Sequence, residues 1–154
     1  MRRLVLLCSA AVLVACAKKE STPAADTTAA AAPAPPPAPP PMNMADLAGK
    51  WHVKVMPMNS DSVLVEYDMT ATADTAGWVV NLPKRKPMTP HIMVSGDSLM
   101  IDMGPYESVL RKGVQVSTHS VNRMQGGELM GMTMAHYMKP DTTIMLRSRA
   151  TKTP

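Results

Sequence analysis

Residues 63–71 read Val-Leu-Val-Glu-Tyr-Asp-Met-Thr-Ala, so that Val63, Val65, Tyr67, Met69 and Ala71 alternate with Glu66, Asp68 and Thr70. A period of two sends the two sets to opposite faces of an extended chain, which predicts an antiparallel strand with one face buried and one in water. Trp51, Val53 and Val55 alternate with His52, Lys54 and Met56 in the same way. Working outward, similar apolar runs occupy residues 77–82, 91–95, 98–103, 113–124, 128–138 and 142–150, with Gly, Pro, Asp and Ser between them. No window keeps a helical period, and the total is about eight strands. Ser60-Asp61-Ser62, Gly96-Asp97-Ser98 and Asp141-Thr142-Thr143 each open a strand, as Asx and Ser/Thr turns do. Connections this short join each strand to its neighbour. The fold class predicted is therefore all-β: a small antiparallel up-and-down meander barrel, closed or nearly closed to hide its edges.

Upstream of residue 46 the composition changes. Residues 17–44 are nearly all Ala, Pro and Thr, including Pro33-Ala34-Pro35-Pro36-Pro37-Ala38-Pro39-Pro40-Pro41. Such a stretch buries no core. It favours extended polyproline II and could hold a domain up to roughly 80 Å from an anchor at about 3.1 Å per residue. Before it, Arg2 and Arg3 precede the apolar residues 4–7 and 10–14, followed by Ala15 and Cys16. That order reads as an export signal, too short to span a bilayer. Leu13-Val14-Ala15-Cys16 resembles the lipobox of bacterial lipoproteins. The resemblance implies that Cys16 carries acyl chains such as palmitate and becomes the first residue of the processed chain. It also implies, through Ala17 rather than Asp after the Cys, an outer-membrane address facing the periplasm. The organisation expected is a signal peptide at 1–15, the lipidated Cys and disordered tether at 16–45, a β-barrel domain at 46–150 and a tail at 151–154.

Export changes the meaning of the overall counts. The chain has 154 residues and a formal net charge of +4, and loss of Arg2 and Arg3 halves that excess. Nucleic acid is not an expected partner, because the remaining cations lack the clustering with stacking aromatics that such a ligand requires. Lys84-Arg85-Lys86 is the one tight basic run; it reads as a solvated loop or, more sharply, as a contact for an anionic headgroup. Of the two Cys, Cys8 leaves with the signal and Cys16 is acylated, so no disulfide is expected.

No catalytic constellation emerges, and the chain is not expected to be an enzyme. Gly96-Asp97-Ser98-Leu99 matches the motif of the GDSL esterases, but no Asp is followed by His three residues later to supply the base. His52, His91, His119 and His136 lie on different strands without metal spacing, and Asp102, Glu107 and Glu128 show no pairing for acid–base work. Sixteen Met beside zero Phe are the unusual feature. Met can fill a core that lacks aromatics. Alternatively, Met130, Met132, Met134 and His136 share one strand face, and soft thioethers with imidazole suit Cu(I), which makes copper the alternative cofactor to none at all. If that stripe faces outward it is an apolar patch open to a partner.

Leu47-Ala48-Gly49-Lys50-Trp51 resembles the G-x-W opening of lipocalins and related calycin barrels. The resemblance implies a reduced lipocalin-like barrel in which Gly49 precedes a floor Trp, Trp51, stacked beneath Arg147 or Arg149 of the last strand. It further implies an interior for a small hydrophobic or amphiphilic ligand, with Trp51, Tyr67, Trp78, Tyr106, Arg111 and Tyr137 as candidate contacts. Residues 96–116 also resemble those of small bacterial envelope lipoproteins, a kinship that brings no activity and suggests that residues 104–111 form a shaped loop anchored by Tyr106. The function expected is a membrane-anchored, non-catalytic envelope lipoprotein that binds such a ligand or an envelope protein, with Cu(I) binding or a purely structural role as the alternatives. Replacing the anchor residue, Cys16→Ser, is expected to move the protein from the membrane to the soluble fraction on cell fractionation; unchanged membrane retention would refute acylation.

Overall fold

In the computed structural model, residues 40–154 are described; the expected signal peptide, Cys16 and most of the tether lie outside them. Eight antiparallel strands form one curled sheet, a half barrel of meander type. They are β1 (Gly49–Pro57), β2 (Val65–Ala71), β3 (Val79–Asn81), β4 (His91–Ser95), β5 (Ser98–Glu107), β6 (Gln115–Gln125), β7 (Glu128–Met138) and β8 (Asp141–Thr153). The order across the sheet is β3-β2-β1-β8-β7-β6-β5-β4. The first and last strands thus pair, as they would in a closed meander. The opening falls between β3 and β4, where Val80 makes a bridge to Met88 on the connecting segment.

Period two governs burial as the sequence requires. Trp51, Val53 and Val55 of β1, Met69 and Ala71 of β2, Leu129, Ala135 and Tyr137 of β7, and Leu146 and Ala150 of β8 all turn inward into one core. Midway along the paired β6, β7 and β8 a group of inward residues is small and polar: Ser120 bonds Thr133 at 2.8 Å, and Ser148 donates to Asn122 at 2.8 Å. Gly131 belongs to this seam. A Cβ there would lie 2.0 Å from the Val121 carbonyl oxygen, so only glycine lets the two strands come this close.

Several boundaries differ from the sequence reading; β2, β3 and β6 each begin two residues later than expected. A single helical turn, α1 (Met44–Leu47), precedes β1, capped by the Asn43 side chain, which accepts from the Ala45 N–H at 3.1 Å. Packing therefore begins before residue 46, with Met42 donating its N–H to the Gly96 carbonyl at 2.8 Å and Leu47 fully buried. At the other terminus β8 continues through Thr153, so residues 151–153 are strand rather than tail. Residues 104–107 belong to β5 with a register shift between Met103 and Tyr106; the shaped loop is shorter and follows Glu107.

The expected Trp–Arg stack is replaced. Trp51 donates Nε1–H to the Leu47 carbonyl at 2.7 Å, and the cation near its ring is Lys152, 5.7 Å from the centroid. Parity explains this: Lys152 follows Leu146, Ser148 and Ala150 on the inner side, while Arg147 and Arg149 point outward. Arg147 instead bonds the Pro57 and Ser60 carbonyls and Asp61, and Arg149 pairs with Glu128 at 2.6 Å. Because Trp51 joins α1 to the strand floor in a fully packed environment, Trp51→Ala is expected to cost about 3–5 kcal/mol in chemical denaturation. A loss below about 1 kcal/mol would show that α1 and β1 are not held this way.

Candidate functional site

Inside the curl, at the end remote from α1, a cavity of about 50 Å³ is bounded by Val55, Tyr67, Tyr106, Leu110, Tyr137 and Leu146 among others. Three of the named ligand-binding residues, Tyr67, Tyr106 and Tyr137, meet here. Arg111 lies over the Tyr137 ring at 4.0 Å, a cation–π contact that covers the aromatic from the loop side. Trp51 and Trp78 do not join them; both are core residues, and Trp78 spends its Nε1–H on the Asp74 carbonyl at 2.8 Å. Burial raises the phenols of Tyr67 and Tyr106 above their ordinary range, so both stay neutral. The hydroxyl of Thr118, also on the cavity wall, is buried and has no hydrogen bond of good geometry among the described residues, the Tyr106 phenol being the polar group that approaches it.

The loop over this end is fastened by Glu107, which accepts from Gly113 N–H at 2.9 Å and pairs with Arg85 at 3.1 Å. Those two contacts, the backbone N–H first, hold the Glu107 carboxyl below the usual carboxylate range. Arg85 also reaches the Ser108 carbonyl at 3.1 Å. The middle residue of the Lys84-Arg85-Lys86 run is thus turned to the domain and not to solvent.

The outer face of the sheet has a different chemistry. Met130, Met132, Met134, His136 and Met138 all project outward from β7, with Met132 half exposed at 49%. Across the strands the register makes two continuous rows. Met93, Met100, Val121, Met132 and Arg147 are successive partners from β4 to β8, and so are His91, Asp102, His119, Met134 and Met145. Among the described methionines only Met69 is fully buried in the core, at 2% exposure, while Met42, Met44, Met88 and Met103 pack against it partly buried. Met thus fills the core at Met69 and along its margin, while Trp51, Trp78, Tyr137 and the Leu residues supply most of its large fully buried side chains.

The copper donors named from sequence share this face but cannot share one ion. Successive same-face residues of a strand lie roughly 6.6 Å apart, so Met130 and His136 are separated by about 20 Å. Ligands for one centre must come from adjacent strands instead. Asp102 shows what the sequence concealed: His119 Nδ1 approaches its Oδ1 at 2.5 Å, and His91 Nδ1 lies 3.8 Å from its Oδ2. His136 is engaged elsewhere, with Thr143 at 3.2 Å and Asp141 at 3.6 Å. Among the described residues no three His, Cys, Asp or Glu side chains are arranged to hold a metal ion.

Ser98, of the esterase-like motif, sits at the start of β5 after the β4–β5 turn. It donates to Asp97 at 2.9 Å and accepts from Arg123 Nε at 3.2 Å, with no imidazole beside it. Asp97 is held below the ordinary carboxylate range, first by the Ser98 hydroxyl and then by Arg123. These contacts close the hairpin.

Comparison with family models, with curated proteins and with solved structures gave no match to this chain. Among the described residues, no helix is long and apolar enough to cross a membrane.

The buried Thr118 hydroxyl supplies a direct check on the inner cavity. Thr118→Val keeps the side-chain shape and removes a buried polar group without a well-formed hydrogen bond, so it is expected to stabilise the fold by about 1 kcal/mol in thermal or chemical melts. A comparable loss would mean that the hydroxyl is satisfied, by the Tyr106 phenol or by something held in the cavity.

Proposed function

We propose that this chain is a lipid-anchored envelope protein without catalytic activity, whose lipocalin-like half barrel binds through its outer methionine face rather than through its interior. The observation that carries the reading is the distribution of methionine. Positions that face water on a solvated sheet ordinarily carry charged and polar side chains, yet the outward residues of β7 from 130 to 138 are four Met and one His. Met93, Met100 and Met145 extend the patch to β4, β5 and β8. An unbranched, polarisable thioether adapts its shape to what it meets, which suits a contact surface.

The inner cavity argues the same way by its size. Small-molecule sites commonly enclose roughly 300–1,000 Å³. Fifty cubic ångströms hold a few waters or the tip of an alkyl chain. The anchor belongs to the proposal through Leu13-Val14-Ala15-Cys16, which would retain the domain at a membrane, on the outer membrane's periplasmic side if Ala17 directs sorting.

Methionine oxidation tests the reading. Brief peroxide treatment followed by peptide mass spectrometry is expected to oxidise Met130, Met132, Met134 and Met145 more slowly in intact envelopes than in the purified chain, by at least threefold. Met124, exposed at the sheet's end on the opposite face, is expected to react alike in both. Equal rates at all five positions would overturn the outer-face reading.

A further inference from the structure

The second row of the outer face places one nitrogen and two sulfur donors side by side on three adjacent strands. His119 of β6 is the register partner of Met134 of β7, and Met134 is the partner of Met145 of β8. Neighbouring strands lie about 4.8 Å apart, a spacing that lets an imidazole and two flexible thioethers close on a single point above the middle strand. All three side chains are accessible: His119 is 37% exposed, and Met134 and Met145 are 40% and 42%. His91, Asp102, His119, Met134 and His136 line one open groove beside this spot, and Met145 of the next strand is not part of its wall.

The hydrogen bond between His119 and Asp102 gives the row its direction. An ionised carboxylate only accepts, so the proton of this pair lies on Nδ1 of the imidazole, 2.5 Å from Asp102 Oδ1. Nε2, which makes no hydrogen bond among the described residues, is left as the ring nitrogen open to a ligand. Metal-binding histidines are held in this way, by an outer carboxylate that fixes the tautomer and increases the basicity of the donor nitrogen. Asp102 is a positioning residue.

Donor chemistry selects the ion. Two thioethers and one imidazole form a soft, uncharged set, the type that favours Cu(I) over zinc, magnesium or calcium. A harder alternative would need several carboxylates or imidazoles, and no such trio is arranged for a metal among the described residues. We propose that His119 Nε2, Met134 Sδ and Met145 Sδ form a surface site for one Cu(I) ion, oriented by Asp102. This names the ligand class of the outer face and rests on the reading of that face as the binding surface. No electron transfer is involved: the ion enters and leaves as Cu(I), exchanging the ligands of its donor for these three.

The test uses the full chain purified in detergent micelles, without oxygen, titrated with Cu(I) against a chromophoric Cu(I) chelator. One ion per chain is expected, bound more tightly than micromolar, with Ag(I) competing and Zn(II) not. Met134→Leu and Met145→Leu are each expected to weaken binding at least tenfold and His119→Ala to abolish it, with far-ultraviolet circular dichroism unchanged. Asp102→Asn is expected to weaken binding about tenfold and to move the affinity's pH midpoint, which a merely structural role would not do. Met124→Leu, on the other face, is expected to leave the affinity unaltered. Binding no tighter than micromolar, or equal losses from Met124→Leu and Met134→Leu, would overturn the site. If Cu(I) fails to bind while the methionines remain protected in envelopes, the outer face has another occupant and only the copper assignment falls; if protection is absent as well, both readings fall.

Discussion

The pairing of β1 with β8 is the contact on which the rest of this fold depends. It runs from Lys50 opposite Thr153 to Pro57 opposite Leu146, joining segments almost the full length of the described domain apart. Without it, β1–β3 and β4–β8 are two separate meanders, neither with a covered apolar face. With it, Trp51, Val53 and Val55 are brought beside Leu146 and Ala150, and a single core results. Such long-range pairing is entropically costly to form and must be repaid by burial, which is why the fully buried Trp51 sits on one of the two joined strands.

Curvature follows from the choice of residues along this seam. Gly131 allows β6 and β7 to approach, and the paired hydroxyls and amide of Ser120, Thr133, Asn122 and Ser148 satisfy each other where large apolar groups would not fit. The tight curl leaves little interior volume. On the other side of the sheet β7 presents four thioethers and an imidazole, with His91, Met93, Met100, His119 and Met145 on the strands around it.

How far the site could be read in advance depended on the distance over which each signal acts. The extents of β4 and β7 were legible residue for residue, because alternation and flanking turns are local. The faces of individual strands were half legible: period two grouped Met130, Met132, Met134 and His136, but either side of β7 could have been the buried one, since Leu129, Ala135 and Tyr137 are apolar too. The role of Arg147 was misread for a related reason. The motif calls for a cation near Trp51, and one residue of parity separates the outward Arg147 and Arg149 from the inward Lys152 that takes that place.

Local chemistry in the chain was enough to specify strands, turns and an all-β meander, and composition alone sets residues 17–44 apart from the rest. Which strand edge would stay open, which face would be wet, and which side chains would stand beside one another across strands came only with folding. Asp102 and His119 are separated by 17 positions, and Met134 and Met145 by 11, with nothing in their own neighbourhoods to link them. Register between strands is set by the burial of the opposite face, by Leu99, Leu129, Tyr137 and Leu146, so the alignment of the outer donors is a consequence of how the inner residues pack.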